Sequence, residues 1–418
     1  MRAYSSGFSP SLKRLLGLTL FSALCLSIST VVPLAPLMLF GSLIVVPGTF
    51  LDTSAKSKIY YSTLLLFMYL VISSLASGLS ITEYAKYKFI RYDGNIFYSY
   101  APLLLLPFLE GNDFKPLGAI RGFILAYPIL IIVLMDILHL PLFTSHNALG
   151  GMTMIVFVLN VAFLKNPRMG LALILNSVVL LRSDSRGSMI GALCAVAIYF
   201  FEKKQWRKTK AVFILGSIAT AIAVFAVGYI VWVGMDKPIR LSMEEIGDLA
   251  KVSQVSALNA IIRRGVTISH RIFFIWPVAV DDFLRSPLLG IGFSRFDDLP
   301  YHFSQTLGLV SFNTTSAIRH TDLHAHCSYL HFLAETGILG LSLVFFLFKA
   351  IFQRASDMIR EARLAVSAMT WAVLYASLTE HRLTTPAQMF PYMAILVLII
   401  SSRHSYQNSS TLPKELHA

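Results

Sequence analysis

Residues 59–79 read IYYSTLLLFMYLVISSLASGL, twenty-one consecutive positions without one charged side chain. A helix rises 1.5 Å per residue, so a run of this length covers the ~30 Å hydrocarbon core of a bilayer. Similar runs recur along nearly the whole sequence. Spans are expected at about 15–32, 35–51, 59–79, 96–109, 119–138, 149–164, 169–181, 187–201, 211–233, 328–348, 364–379 and 389–402. Those near 96–109, 169–181 and 389–402 fall below the usual ~17 residues, so either their ends extend further or they tilt into the protein interior.

Composition agrees with this pattern. Of 418 residues 56% are hydrophobic and only 14% charged, too little polar surface to cover a water-solvated globule of this size. The expected fold is an all-α polytopic membrane protein of about twelve transmembrane helices. It divides into helices 1–9 over residues 1–233, one large outer loop over 234–327, and helices 10–12 with a tail over 328–418. The start of the chain, Lys13-Arg14 followed by an apolar run, could also be a signal peptide, but no small-x-small cleavage site is clear and a second span follows at once.

Basic residues set the orientation, because cytoplasmic loops retain Lys and Arg. With the N-terminus inside, cytoplasmic segments carry 20 of the 35 basic residues against seven acids, while the other 15 basic and 15 acidic residues cancel. The entire net charge of +13 then sits on the cytoplasmic side. Because it is spread over several short segments and forms no single patch, it is a topology signal and no nucleic-acid footprint. The three cysteines, Cys25, Cys194 and Cys327, imply no disulfide framework. Cys327 reads as a small residue at the membrane edge, with a nucleophile or ligand role as the sharper alternative.

On this topology the 234–327 loop is periplasmic. It holds nine Lys/Arg and nine Asp/Glu. Apolar residues recur at helical spacing from Ile246 to Ile262, and Ile272, Ile275, Trp276, Ala279 and Phe283 form a stripe beside Asp281, Asp282 and Arg285. Both read as short amphipathic helices at the membrane surface, the second kinked by Pro277. Six of the eleven histidines, His270, His302, His320, His324, His326 and His331, fall between 270 and 331. Imidazole titrates near neutral pH and suits proton transfer. A metal site from His320, His324 and His326 is conceivable, but no metal motif such as H-E-x-x-H accompanies them, and no metal is assigned.

The stretch from His324 to Gly337, HAHCSYLHFLAETG, resembles the H-x-H-[NS]-x-x-L-x-x-x-x-E-x-G segment that opens a late transmembrane helix in the O-antigen ligase and polymerase superfamily, which also includes protein O-oligosaccharyltransferases. Cys327 stands where that family commonly has Asn or Ser. Two further fragments agree in order: Leu181 to Ser188, LRSDSRGS, is similar to the family's S-R-[GA] turn, and Arg271 with Trp276 and the stretch SPLLGIGF at 286–293 is similar to its loop motif. The resemblance covers about the second half of the chain.

The resemblance implies that His326 is the catalytic base, with His324 as a substrate contact. Arg186 and Arg271 would bind a diphosphate, which a guanidinium can grip bidentately. Read without the family, Arg186 pairs with Asp184 or snorkels to headgroups, and Arg271 pairs with Asp281 or Asp282. Glu335 lies within a span, where a carboxylate must be protonated, paired or bonded to backbone; Gly337 and Gly340 suit close helix packing. The expected function is transfer of a glycan from an undecaprenyl-diphosphate carrier to lipid A-core at the periplasmic face of a Gram-negative inner membrane, inverting and without cofactor. Membrane lipids are expected partners and nucleic acid is not. A polymerase or a protein O-oligosaccharyltransferase is the alternative. A flippase would predict charges inside several spans and paired repeats, and neither is clear.

Overall fold

The computed structural model describes residues 58–78, 96–109, 116–143, 145–164, 167–202, 271, 275–293, 295–296, 324–402 and 405. Among them every element is helical. In chain order they are α1 (Lys58–Ala76), α2 (Ile96–Leu109), α3 (Pro116–Ile131, continued by a π turn over Ile132–Ile137), α4 (His146–Ala162), α5 (Pro167–Arg182), α6 (Arg186–Glu202), α7 (Trp276–Arg285), α8 (Ser328–Ser356), α9 (Arg360–Ala376) and α10 (Pro386–Ser401). Nine of the expected spans coincide with one of these helices. Those at 15–32, 35–51 and 211–233, the Ile246–Ile262 stripe, and His270, His302 and His320 lie outside the described residues. Among the described residues three helices, Lys58–Ala76, Leu117–Ile137 and Ser328–Ser356, are long and apolar enough to cross a membrane. Ile96–Leu109, His146–Ala162, Arg186–Phe200 and Pro386–Ser401 are shorter apolar helices, so the count of twelve spans is not established by length alone.

Two kinds of helix result from two kinds of apolar pattern. On α1, Tyr61, Leu65, Met68, Ile72 and Leu75 are exposed at alternating four- and three-residue steps, while Tyr60, Leu66 and Leu70 are buried. A stripe of this kind facing outward has only lipid for a solvent. By contrast, α10 is apolar all round and buried from Pro386 to Ser401, packing against α2, α4 and α9 at the centre of the bundle. Helix α6 runs along α9 and α4, and the three meet at Gly191, where an added Cβ would lie 2.6 Å from the carbonyl oxygen of Ala372 and 2.7 Å from the sulfur of Met154. A small residue there lets the backbones approach.

Helix α8 departs from the expectation of a continuous span. Gly337 sits at φ +62°, a left-handed backbone that breaks the helix after Thr336. The loop after α7 fills the break: Ile291 and Gly292 donate backbone N–H bonds to Ala334 and Glu335 carbonyls at 3.0 Å each, while Ile338 and Leu339 donate to Pro287 at 2.9 Å and Leu288 at 3.2 Å. In lipid every backbone group needs a partner, and this insertion supplies the four bonds that the break removes. Gly337 is therefore a break that admits a loop, where close packing between helices was expected. Gly340 does pack closely, facing Tyr69 of α1. Pro277 is also corrected: it lies in the first turn of α7, where its missing N–H costs nothing, and so starts the helix instead of kinking it.

The two ends of the bundle differ. At one end Arg121 of α3 pairs with Glu361 of α9 at 2.6 Å, two residues that the charge distribution assigns to the same side. At the other end of α9 its connection to α10, residues 377–385, meets the α5–α6 turn and the start of α8.

Candidate functional site

Three chain segments build this second end. The first is the turn 183–185, where Asp184 takes a left-handed φ of +50°, Ser183 accepts from the Ser185 N–H at 3.4 Å, and α6 then begins at Arg186. Arg186 is exposed, at the N-terminus of α6, whose dipole favours an anion.

The second segment is the entrance to α8. His326 also sits at φ +50°, a conformation His tolerates better than most residues. It turns the chain into a helix that starts at Ser328 after a buried Cys327. The indole Nε1 of Trp276 on α7 donates to the Ala325 carbonyl at 3.1 Å, supporting the His324–His326 segment from behind. His324 and His326 stand edge to face with ring centroids 4.4 Å apart.

The third segment is the 377–385 connection, to which sequence reasoning assigned no role. It contributes His381, stacked on His324 at 4.5 Å and edge-on to His331 at 4.3 Å. Four imidazoles thus form one contiguous array. At its inner end His331 Nε2 lies 3.1 Å from Glu335 Oε2, and the other carboxylate oxygen of Glu335 accepts from the Phe296 N–H at 3.2 Å. Glu335 is accordingly paired and bonded to backbone, two of the states expected of it. Burial, and next the neighbouring His331, His324 and His326, push the pKa of His381 well below the usual imidazole value. His381 also hydrogen-bonds the Thr384 hydroxyl.

The same connection binds the other two segments. Arg271 donates from Nη1 to the Thr379 carbonyl at 2.8 Å, while Asp281 and Asp282 lie 3.4 and 4.0 Å from Arg285 Nε on their own helix. Glu380 Oε1 accepts from the Ser185 hydroxyl at 2.8 Å and from the Gly187 N–H at 3.0 Å, and its Oε2 pairs with Arg382 Nη2 at 2.5 Å. Ser328, first residue of α8, donates its backbone N–H to Ser377 at 2.9 Å and its hydroxyl to the Glu380 carbonyl at 3.0 Å. Its oxygen accepts from the Arg382 N–H at 2.8 Å. Arg186, Arg271, His324 and His326, far apart in sequence, are thereby tied to one short connection. A sequence signal for it existed: Glu380, His381 and Arg382 are three consecutive ionisable residues in a turn between two apolar spans.

Among the described residues no group of three His, Cys, Asp or Glu side chains has an arrangement suited to a metal ion. Chemically, the end of the bundle offers two guanidiniums for an anion and imidazoles for a proton.

Residues 171–345 match the family model described as Wzy_C, O-antigen ligase. No curated protein matches the chain. The matched segment runs from α5 into α8, so it contains Arg186, Arg271, His324 and His326 and leaves the 377–385 connection outside. Residues 171–345, which carry these motifs in the family order, are therefore similar to the O-antigen ligase domain of the O-antigen ligase and polymerase superfamily.

Proposed function

We propose that the chain is a glycosyltransferase that moves a glycan from an undecaprenyl-diphosphate carrier to lipid A-core at the periplasmic face of the inner membrane. The observation that carries this reading is the convergence of Arg186, Arg271 and the His324–His326 segment on one connection at one end of an apolar bundle. Arg186 and Arg271 hold the donor's diphosphate and offset the charge that grows on it as leaving group. His326 takes the proton of the acceptor hydroxyl as that oxygen attacks the anomeric carbon; the C–O bond to the diphosphate breaks and the carrier leaves as its diphosphate. Single displacement inverts the anomeric centre. His324, against His326, contacts the acceptor or donor sugar. The end that carries Arg121 and Glu361 faces the cytoplasm, in keeping with the basic residues there.

Lipid A-core is favoured over a second glycan repeat or a protein hydroxyl because the span pattern of the sequence places one major loop, 234–327, on the outer side. Purified protein reconstituted with a polyprenyl-diphosphate glycan and offered each of the three acceptors separately should join the glycan to lipid A-core. Product with one of the other acceptors alone would reassign it as a polymerase or a protein oligosaccharyltransferase.

A further inference from the structure

The diphosphate reading uses Arg186, yet Arg186 itself projects from the surface, and what fixes its position must act through its neighbours. Both neighbours bond to one atom. Glu380 Oε1 accepts from the hydroxyl of Ser185, immediately before Arg186, and from the backbone N–H of Gly187, immediately after it. The Gly187 contact is too close for a side chain, since an added Cβ would lie 2.7 Å from the Glu380 carboxyl carbon. Gly151 makes matching room for the guanidinium partner, where a Cβ would lie 2.6 Å from Arg382 Nη1.

Glu380 is itself held from two sides. Arg382 pairs with its second oxygen and reaches on to the hydroxyls of Ser185 and Ser188. The Glu380 carbonyl takes the hydroxyl of Ser328, two residues after His326. The adjacent Thr379 carbonyl takes Arg271. One residue therefore stands between the two: the Glu380 carboxylate holds the turn that carries Arg186, and its backbone carbonyl holds the helix entrance that carries His326. Both Glu380 and Arg382 are buried, and an ion pair taken out of water is a weak source of stability compared with apolar packing, so its retention here invites a role in geometry.

We propose that Glu380 is a positioning residue for Arg186, held in place by Arg382, and that it sets the distance between the diphosphate-binding turn and the base-bearing helix entrance. The proposal rests on the diphosphate reading of Arg186 above. Neither residue touches substrate in this account.

The test uses the full chain purified in detergent, with initial rates on a polyprenyl-diphosphate glycan. Glu380→Ala alone leaves Arg382 buried without its partner and invites misfolding, so the informative variant is Glu380→Ala with Arg382→Met, which removes both charges. At matched amounts of folded protein this variant should lose roughly 10–100-fold in kcat/KM for the donor, chiefly through donor KM, with acceptor KM unchanged. Glu380→Asp, which keeps charge and acceptor oxygens, should recover part of that loss. In an Arg186→Ala background the double change should add nothing further, because its effect passes through Arg186. Full additivity there, or a folded double variant with wild-type donor KM and kcat, would overturn the positioning role. If Arg186→Ala alone leaves donor KM untouched, the diphosphate reading falls first, and the positioning role falls with it.

Discussion

Two ion pairs at opposite ends of this bundle use the same chemistry in different surroundings. Arg121 and Glu361 meet at 2.6 Å with side chains 43% and 27% exposed, whereas Arg382 and Glu380 meet at 2.5 Å with 2% and 6%. The first joins two helix starts at a wet edge, where salt and water screen it. The second lies where α6, α8 and the α9–α10 connection converge, and each of its oxygens has a named partner. Burial pushes the Arg382 pKa down, and Glu380 pushes it back up. Removing one partner should therefore be cheap at one end and costly at the other.

The largest stability effect is expected for Glu380→Ala, which leaves a guanidinium buried with no counter-charge. It should lower stability by about 3–5 kcal/mol, read as a large drop in thermal unfolding temperature in detergent. A drop no greater than that of an exposed pair would mean that water reaches Arg382 and that the contrast between the two ends is false.

A smaller effect is expected from pH. The folded pKa of His381 lies below its unfolded value near 6.5. Between those two values the unfolded chain binds a proton that the folded chain does not, so this residue's contribution to stability falls as pH drops from about 6.5 toward the folded pKa. His324 and His331 face the His381 ring, the His326 ring stands against His324 and acts on His381 electrostatically, and Glu335 answers His331. Thermal unfolding between pH 7.5 and 5.5 should be less steep in pH for His381→Gln than for wild type. Equal slopes would mean that His381 takes up its proton in the folded state as readily as in the unfolded chain.

The smallest effect is expected at the exposed end. Arg121→Met or Glu361→Gln should change stability by at most about 1 kcal/mol, and the change should shrink further in high salt. A loss comparable to that of Glu380→Ala would place that end in a drier setting than its exposure indicates.

Much of this architecture was legible in the residues, and the gaps have physical causes. Uncharged runs locate the helices because each must satisfy its own backbone in lipid, and nine expected spans overlie helices. Their lengths were less legible: α10 is only sixteen residues long, and burial on all sides is what places so short a helix at the centre. The break at Gly337 could not be read from α8 alone, since the groups that repair it lie in a loop some fifty residues upstream. The histidine segment and both arginines stood out by motif. Glu380, His381 and Arg382 did not, because the histidine count favoured one stretch of sequence while His381 returns to it only through the packing of α9 and α10.

The central claim is that imidazole at position 326 accepts the acceptor's proton, and turnover of His326 variants tests it most directly. Because His326 holds a left-handed backbone, His326→Asn is the cleaner replacement, since Asn accepts that conformation with little strain; His326→Ala serves as its companion. With a polyprenyl-diphosphate glycan and lipid A-core, both variants should lose roughly 10²–10⁴-fold in kcat while donor KM stays near the wild-type value. Near wild-type turnover in folded protein of either variant would contradict the account and place activation of the acceptor on another group.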